Sequence, residues 1–391
     1  MRKKLLPLLL ALATALSVVP ASGVLSSASI PSIFDELLKA PALSNPAMVL
    51  MDGTTGEVIY EKNSFSQRKP ASVMKLFAAA STLTYLDPER VFTTQISLGI
   101  KPKTLVIQGD LDPWISLSHG VARKMARESL PYLAFNALSA IKKSNHGSLK
   151  GITVEYAGLY AQDVANFKSF WAKRGFKPTM RSVSSDHTLL STGDYIVADT
   201  SPSIKEILNF TIQWSDNVLA ERLARLASRA AGNPFNDTGV QKTFNQLLAS
   251  FEIDSSKLIA FDASGLSKEN RITAHMVGQL LFRLRNNPQY ELLYESLPVG
   301  GISGTLRSRF LETAPTAVGL VRAKTGTLNG TVTLAGYVES VDREYVFVTL
   351  ADEIPRGTKA EKKARDAIDR LLGRIAAPNI PAEIVESTPA P

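Results

Sequence analysis

Residues 71–86 constrain the fold most, because they are apolar on almost every side. Pro70 fits the first turn of a helix, and a helix that is apolar all round must lie inside a domain. This predicted helix nevertheless carries Ser72 and Lys75, which are three residues apart and therefore share one face. A lysine held in an apolar site loses its charge readily and can then accept the proton of a serine hydroxyl. The pair therefore indicates an activated nucleophile.

The amino terminus predicts export. Basic residues at positions 2–4 precede an apolar run over 5–19, and small residues follow this run. The order is typical of a secretory signal, which we assign to residues 1–28, and the run is too short for a comfortable membrane span. An uncleaved anchor helix is the alternative. No later run reaches about 20 apolar residues, so we expect an exported protein, periplasmic or extracellular and associated with the cell wall, without a stable transmembrane anchor.

The composition of the 391-residue chain excludes several classes of function. There is no cysteine, so disulfides, thiolate metal sites and cysteine nucleophiles are ruled out. Lysine and arginine number 44 against 36 aspartate and glutamate residues, but the excess is scattered and forms no dense basic stripe for nucleic acid. With 45% hydrophobic residues, the chain can bury substantial cores.

Periodicity indicates how the rest of the chain is organised. A hairpin pattern spans residues 47–61, and alternating strand patterns follow near the end at 331–339 and 344–352. We expect these strands to share one sheet, with the helix at 71–86 packed against it.

The segment between these parts has strand and helix patterns of its own. One long amphipathic helix is expected over residues 120–143, and a Ser/Thr-rich stretch ends the segment at 182–192. We therefore divide the chain into a signal peptide at 1–28, a discontinuous catalytic domain at 29–92 plus 197–377, an inserted domain at 93–196 and a disordered tail at 378–391.

Two further motifs combine hydroxyl groups with charged or amide side chains. Residues 214–217 (WSDN) head an apolar helix, where Ser215 or Asp216 is alternatively a helix cap. Residues 324–327 (KTGT) stand on a strand that leads into the terminal hairpin. A lysine next to hydroxyls on a strand edge can hold a carboxylate, and Gly326 lets a substrate backbone approach closely. An exposed turn is the alternative for this third motif.

Ser-x-x-Lys, Ser-Asp-Asn and Lys-Thr-Gly, in this order, resemble the signature set of the penicillin-binding and serine β-lactamase superfamily. Residues 262–267 (DASGLS) and 300–307 (GGISGTLR) resemble segments of the D-alanyl-D-alanine carboxypeptidases of penicillin-binding class C, a group that includes DD-endopeptidases. The resemblance covers residues 47–86 and 201–352, and a large insert between the first two motifs is typical of the group. It implies an α/β (α+β) fold: a serine β-lactamase-like, penicillin-binding transpeptidase domain with an antiparallel sheet flanked by helices, plus an inserted α+β domain.

The resemblance implies roles for the catalytic residues. Ser72 is expected to be the acylated nucleophile, Lys75 its general base, and Ser215 the group that relays the proton to the leaving amine. Lys324 next to Lys75 is a like-charge neighbour, so it should help to keep Lys75 neutral.

The same resemblance implies a set of substrate-binding residues. Asn217 would hold a peptide group of the substrate, and Lys324 and Thr325 its terminal carboxylate. The backbone N–H groups of Ser72 and Thr327 would form the oxyanion hole. Outside the motifs, Asp112 and Arg307 are candidates for reading a zwitterionic diamino acid, with a structural or solvated charge as the alternative for each.

The expected activity is release of the terminal D-Ala from peptidoglycan stem pentapeptides, with cleavage of cross-links as a possible second activity. β-Lactams are the expected covalent inhibitors. A serine β-lactamase is one alternative, although class A enzymes deacylate through an added glutamate, and the insert occupies the region where that glutamate would be sought. A non-catalytic envelope protein that binds peptidoglycan is another, although all three motifs are intact.

A zinc DD-peptidase is also considered, because residues 185–187 (SDH) and Asp194 superficially resemble the ligand spacing of metal-dependent enzymes. A catalytic zinc needs three protein ligands, and the four histidines of the chain show no Glu-x-x-His or His-x-His spacing. We therefore expect neither a metal nor another cofactor, and we interpret His187 as a loop residue.

Overall fold

The computed structural model describes residues 27–341 and 343–378. The predicted signal peptide, apart from residues 27 and 28, and the predicted tail, apart from residue 378, lie outside the described residues. In the part of the chain that is described, no helix is long and apolar enough to cross a membrane.

The described residues form ten strands and twelve α-helices. The strands are β1 (Ala47–Asp52), β2 (Val58–Lys62), β3 (Thr93–Gly99), β4 (Thr104–Gly109), β5 (Thr153–Ala157), β6 (Thr179–Ser182), β7 (Thr192–Thr200), β8 (Val321–Leu328), β9 (Thr331–Glu339) and β10 (Glu344–Ala351). The helices are α1 (Ile30–Leu37), α2 (Lys75–Tyr85), α3 (His119–Lys124), α4 (Leu130–Ser144), α5 (Ala161–Ala172), α6 (Ser185–Ser191), α7 (Ile204–Trp214), α8 (Asn217–Ala230), α9 (Asp237–Ser250), α10 (Ala274–Arg285), α11 (Glu291–Ser296) and α12 (Thr358–Gly373). Short 3-10 turns lie at Ser27–Ser29, Ala71–Met74, Pro288–Tyr290, Gly304–Leu306 and Pro315–Ala317.

The first sheet is antiparallel throughout, in the order β2-β1-β10-β9-β8. An early strand and a late strand meet at its centre, since β1 pairs with β10 and Ala47 lies opposite Leu350. The prediction that the hairpin at 47–61 and the two late strands share one sheet is confirmed. β8 is an edge strand, and its outer side pairs with residues 298–300 only as far as Ala323, so the later part of this edge can pair with another extended chain.

Helices cover both faces of this sheet, and β1 is therefore buried at every residue. Val49 and Met51 point into a core that includes residues of α2, α7, α8, α9 and α10. Met48 and Leu50 point to the opposite face, into a core with α1 and α12. Successive side chains of a strand alternate between faces, so a strand covered on both sides needs an unbroken apolar run.

The segment predicted as one buried helix begins as a 3-10 turn over Ala71–Met74 and continues as α2. Residues three apart eclipse each other in a 3-10 turn, which stacks Ser72 and Lys75. Ala71 has a left-handed backbone, with a φ of 47°. The chain therefore turns sharply just before the serine and presents it from a tight corner.

A second sheet lies in residues 93–200, in the order β6-β5-β4-β3-β7. It is mixed, because β4, β5 and β6 run parallel while β3 is antiparallel to β4 and β7. Leu105, Leu133 and Trp171 belong to a separate core against this sheet. The domain boundaries at 93 and 196 stay predictions; β7 continues to Thr200.

The single helix predicted over residues 120–143 is wrong, because the chain forms α3 and α4 with a break at 125–129. Ser129 accounts for the break: its Oγ accepts a hydrogen bond from the backbone N–H of Tyr132 at 3.2 Å and so caps a new helix. The apolar periodicity continues across the break and conceals the cap.

Candidate active site

Lys75 lies at the centre of the candidate site, and its side chain is fully buried. Its Nζ donates to Ser72 Oγ at 3.0 Å, to Asn217 Oδ1 at 2.7 Å and to the carbonyl oxygen of Ser264 at 2.6 Å. An ammonium group has three N–H donors, and these three acceptors satisfy all of them. The structure thus brings the serine and lysine of the first motif together with the asparagine of the second.

Burial lowers the pKa of Lys75 to about 8, because charging a lysine away from water is unfavourable. The carboxylates of Glu221, Asp262 and Asp216 oppose this shift. Burial also lowers the pKa of Lys324 well below its ordinary value, and the charge of Lys75 lowers it further. Burial is thus the main cause of both shifts, and repulsion between the two ammonium groups disfavours charging both at once. That Lys324 helps to keep Lys75 neutral stays a prediction.

Ser215 lies at the junction of α7 and α8, in a left-handed conformation with a φ of 59°. Asp216 caps α8 by accepting a hydrogen bond from the backbone N–H of Leu219 at 2.9 Å. The alternative reading of this motif as a cap thus holds for Asp216. The Ser215 hydroxyl is left to the site, where its Oγ accepts a hydrogen bond from Lys324 Nζ at 2.9 Å.

β8 presents part of its open backbone edge to the site. Ala323 N–H donates across this edge to the carbonyl oxygen of Pro298 at 3.0 Å. Because backbone groups alternate along a strand, the N–H groups of Thr325 and Thr327 point to the same side as that of Ala323. The edge is therefore covered up to Ala323 and presents Thr325 and Thr327 beyond it.

Gly326 is required because the Ser72 turn packs directly against β8. A Cβ at this position would lie 2.2 Å from Thr333 Oγ1 and 2.9 Å from both the Pro70 carbonyl oxygen and the Ser72 nitrogen. Thr333 Oγ1 also donates to the Pro70 carbonyl at 2.8 Å, which ties the turn to the sheet. The glycine therefore admits the turn that carries the serine, and its predicted role in admitting a substrate backbone stays a prediction. The close approach brings the Ser72 N–H next to β8.

Thr325 and Arg307 belong to neighbouring parts of the cleft. Thr325 Oγ1 donates to Thr305 Oγ1 at 2.8 Å, a partner that sequence reasoning missed. Arg307, two residues after Thr305, is exposed. Its guanidinium carbon lies 5.5 Å from the ring centre of Trp214. Trp214 is 49% exposed and immediately precedes Ser215. Arg307 is therefore an exposed charge beside the second motif, and its contact with a substrate stays a prediction.

Asp112 has a different environment. Its carboxylate is buried, with 4% of the residue exposed, and accepts a hydrogen bond from the Trp114 backbone N–H at 2.7 Å. Its pKa is raised to about 7, mainly by burial and in smaller part by the charge of Asp163. The structure does not bring Asp112 into contact with the three motifs, and its burial favours the alternative reading as a structural charge.

Glu221 is a supporting residue that sequence reasoning missed. Its Oε1 accepts hydrogen bonds from the backbone N–H groups of Ala263 at 3.0 Å and Ser264 at 2.8 Å. This contact holds the Ser264 carbonyl in position to accept from Lys75. Glu221 follows Asn217 by four residues on α8, and this spacing places both on one helix face and was the available signal.

The segment at residues 262–267 owes its shape to two polar side chains. Asp262 Oδ1 accepts from the Gly265 N–H at 2.7 Å and from Asn270 Nδ2 at 2.9 Å. Asn270 is fully buried, and its Oδ1 accepts from the Phe261 N–H at 2.7 Å. The loop that carries the Ser264 carbonyl is therefore held by a closed set of hydrogen bonds rather than by packing alone.

His187, considered above as a zinc ligand, lies on α6 and not in a loop. Its Nε2 is 2.9 Å from Glu155 Oε2, and Arg181 contacts the other oxygen of the same carboxylate at 3.2 Å. Among the described residues, no group of three histidine or acidic side chains is arranged to hold a metal ion.

Two known carboxypeptidases resemble this chain over most of its length. The chain is 29% identical to carboxypeptidase DacB of Mycolicibacterium smegmatis, over 85% of this chain and 81% of that protein. It is 25% identical to a D-alanyl-D-alanine carboxypeptidase of Actinomadura sp., over 80% and 79% of the two chains.

Solved structures show the same fold. Penicillin binding protein 4 of Haemophilus influenzae, which has also been solved in complex with a β-lactam, superposes with a TM-score of 0.67 at 17% identity, over 86% of this chain and 98% of that one. Bd3459, a predatory peptidoglycan endopeptidase of Bdellovibrio bacteriovorus, gives a TM-score of 0.57 at 16% identity, over 88% and 96%. The predicted penicillin-binding fold is therefore confirmed.

The family assignment rests on nearly the whole described chain. The model of the D-Ala-D-Ala carboxypeptidase 3 (S13) family matches residues 32–131 and 139–375, which include all three motifs. The chain therefore belongs to the D-Ala-D-Ala carboxypeptidase 3 (S13) family.

Proposed function

We propose that the protein is an exported serine DD-peptidase that releases the terminal D-Ala from peptidoglycan stem pentapeptides, with cleavage of cross-links as a second activity. The observation that carries this proposal is the network in one cleft, in which Lys75 contacts Ser72 and Asn217 while Lys324 contacts Ser215. The names of the carboxypeptidase relatives and the family assignment support the same substrate class.

The substrate lies as an extended peptide along the open edge of β8, as an added strand would. Lys324 and Thr325 bind its terminal carboxylate. The scissile carbonyl then lies between the N–H groups of Ser72 and Thr327, which stabilise the negative charge that develops on its oxygen. Carboxylate binding favours the charged form of Lys324, which burial and Lys75 disfavour in the free enzyme.

During acylation one proton passes from Ser72 to the leaving amine, through the pairs Ser72–Lys75 and Lys324–Ser215. Neutral Lys75 accepts the proton of the Ser72 hydroxyl as Oγ bonds to the carbonyl carbon. The C–N bond then breaks, and the leaving amine takes a proton from Ser215, which is replenished from the lysines. A water molecule attacks the resulting ester and transfers a proton to Lys75, which returns it to Ser72 Oγ as the acid is released.

Export, peptidoglycan and β-lactams complete the proposal. The amino-terminal sequence has the order of a secretory signal, and the relatives named as DD-carboxypeptidases act on a substrate of the cell wall. A β-lactam imitates the acyl-D-Ala-D-Ala end and carries a carboxylate for Lys324, so it acylates Ser72 and occupies the cleft. The β-lactam complex of the Haemophilus protein supports this expectation.

The test compares the wild type with Ser72→Ala and with Ser139→Ala, a matched control because Ser139 opens another Ser-x-x-Lys sequence on the exposed side of α4. Labelled penicillin should form a stable adduct with the wild type and the control, and Ser72→Ala should form none. Monomeric pentapeptide and cross-linked muropeptides are then incubated with each protein, and the products are identified by mass spectrometry. We expect loss of D-Ala from the monomers as the main reaction.

Each part of the proposal has its own contrary result. Adduct formation by Ser72→Ala would assign the nucleophile to another serine. Conversion of dimers to monomers while pentapeptides survive would reverse the order of the two activities. Rapid turnover of nitrocefin without a trapped adduct would point to a β-lactamase.

A further inference from the structure

A groove of about 240 Å³ lies just past the end of β8 and is not used by the mechanism above. Lys69, Lys268 and Arg356 line it, together with the β8–β9 turn at Asn329 and Gly330. Lys69 precedes Ser72 by three residues, and Arg356 Cγ lies 3.8 Å from the position of a Cβ on Gly330. We call this groove the acyl-side groove. It lies close to Ser72, at the carboxyl end of β8.

The acidic residues at this groove are already neutralised. Arg68, which is buried, places its Nη1 3.2 Å from Asp352 Oδ1 and 2.6 Å from Glu353 Oε1. Asp352 also accepts a hydrogen bond from the Lys69 backbone N–H at 3.1 Å, while the Lys69 ammonium lies 4.0 Å away.

Two cations at the groove have no such partner. Lys268 and Arg356 are both exposed, and neither forms an ion pair with any residue that the structure describes. With Asp352 and Glu353 balanced by Arg68 and Lys69, these two charges leave the acyl-side groove positive. An anionic group that enters the groove meets unpaired cations and displaces no competing carboxylate.

The direction of the bound peptide determines which group enters. The terminal carboxylate lies at Lys324 and Thr325, and the scissile carbonyl lies at Ser72 and Thr327. The acyl part of the substrate must therefore leave past Thr327 toward Asn329. A strand advances about 3.3 Å per residue, so Asn329 is roughly 7 Å beyond the scissile carbonyl, which is two peptide residues.

We propose that the acyl-side groove binds a carboxylate that the substrate carries about two residues ahead of the scissile bond, an inference that rests on the proposed function. Lys268 and Arg356 supply the attraction, Arg356 with a planar donor set that suits a carboxylate. The enzyme therefore selects stem peptides that are acidic at this position over peptides in which the same group is an amide.

The experiment uses two synthetic peptides that end in D-Ala-D-Ala and differ only at that position, as a free carboxylate or a carboxamide. The wild type should cleave the carboxylate peptide with a kcat/KM about tenfold higher, and added salt should reduce this preference. The double variant Lys268→Gln/Arg356→Gln should lose the preference by slowing the carboxylate peptide alone. The matched control is Lys242→Gln/Arg283→Gln, which removes the same charge from exposed positions on α9 and α10 and should retain the preference.

Labelling with penicillin separates the possible failures, because the acyl side chain of penicillin is neutral and brings no carboxylate to the groove. The double variant should be labelled at the wild-type rate, which shows that its cleft is intact. If the wild type releases D-Ala from both peptides at equal rates, or if the double variant slows both equally, the groove does not bind the carboxylate and the DD-peptidase proposal still stands. If the wild type releases D-Ala from neither peptide and is not labelled, the proposed function itself fails.

Discussion

At the scale of single residues, we expect the protonation of Lys75 to control acylation. Its pKa is lowered to about 8 by burial, and only the neutral amine can accept the Ser72 proton. Below pH 8 the amine is mostly protonated, so the second-order rate constant for acylation by penicillin should rise about tenfold per pH unit and level off above pH 8. Rapid-mixing measurements of adduct formation from pH 6 to 10 give this profile directly.

Glu221 provides the variant that tests the assignment. Its charge opposes the lowering of the Lys75 pKa, while its Oε1 holds the backbone N–H groups of Ala263 and Ser264. Glu221→Gln keeps the acceptor and removes the charge, so the rising limb of the profile should move to lower pH. Glu361→Gln, on α12 at the opposite face of the sheet, should leave the limb in place. An unchanged limb in Glu221→Gln would mean that another group titrates.

At the scale of elements, the tight turn before Ser72 depends on the loop that faces it. Gly265 has a φ of 82°, and a Cβ there would lie 1.7 Å from the carbonyl oxygen of Ala71. Gly265→Ala therefore has two costs. Alanine is strained by roughly 1–2 kcal/mol in this left-handed conformation, and its Cβ overlaps the Ala71 carbonyl. The overlap should push the turn off β8 and slow acylation by penicillin at least tenfold.

The control for this prediction is Gly232→Ala. Gly232 has nearly the same φ, 79°, but open space where its Cβ would lie. It should show the strain as a lower melting temperature and leave the acylation rate unchanged. If both variants acylate at the wild-type rate, the turn tolerates displacement and its packing on the loop does not govern the reaction.

The elements that sequence could predict are those with a local signal. The late strands, the hairpin and the buried helix follow from periodicity, and three short motifs were enough to place Ser72, Lys75 and Lys324 in one site. Other features depend on contacts between distant segments. The reason for Gly326 is the approach of Pro70 and Ser72, and the contact of Glu221 with residues 263–264 joins a helix to a loop some 40 residues later in sequence.

At the scale of the whole molecule, buried charges join the second sheet region to the catalytic helices. Arg222 on α8 donates to the carbonyl oxygen of Pro113 at 3.1 Å and pairs with Asp163 at 3.1 Å. Trp114 packs on Phe210 of α7, with ring centres 4.5 Å apart. Helices α7 and α8 therefore contact the second sheet region by polar as well as apolar side chains, and Asp112 is buried next to these contacts.

We expect Asp112 to make this interface between the second sheet region and the helices sensitive to pH. Asp163, Arg127 and Arg222 face its carboxyl group together with Glu128, whose own pKa burial raises well above its usual range. The folded-state pKa of Asp112, about 7, exceeds its ordinary value of 3.8, so the folded protein binds the proton more tightly and loses stability as the pH rises through this interval. Asp112→Asn keeps the acceptor for the Trp114 N–H and removes the buried charge. Its melting temperature relative to wild type should therefore be higher by a few degrees at pH 8 than at pH 5. Asp110→Asn, at an exposed neighbouring position, should show no such difference, and an equal effect of Asp112→Asn at both pH values would show that its carboxyl group does not titrate between them.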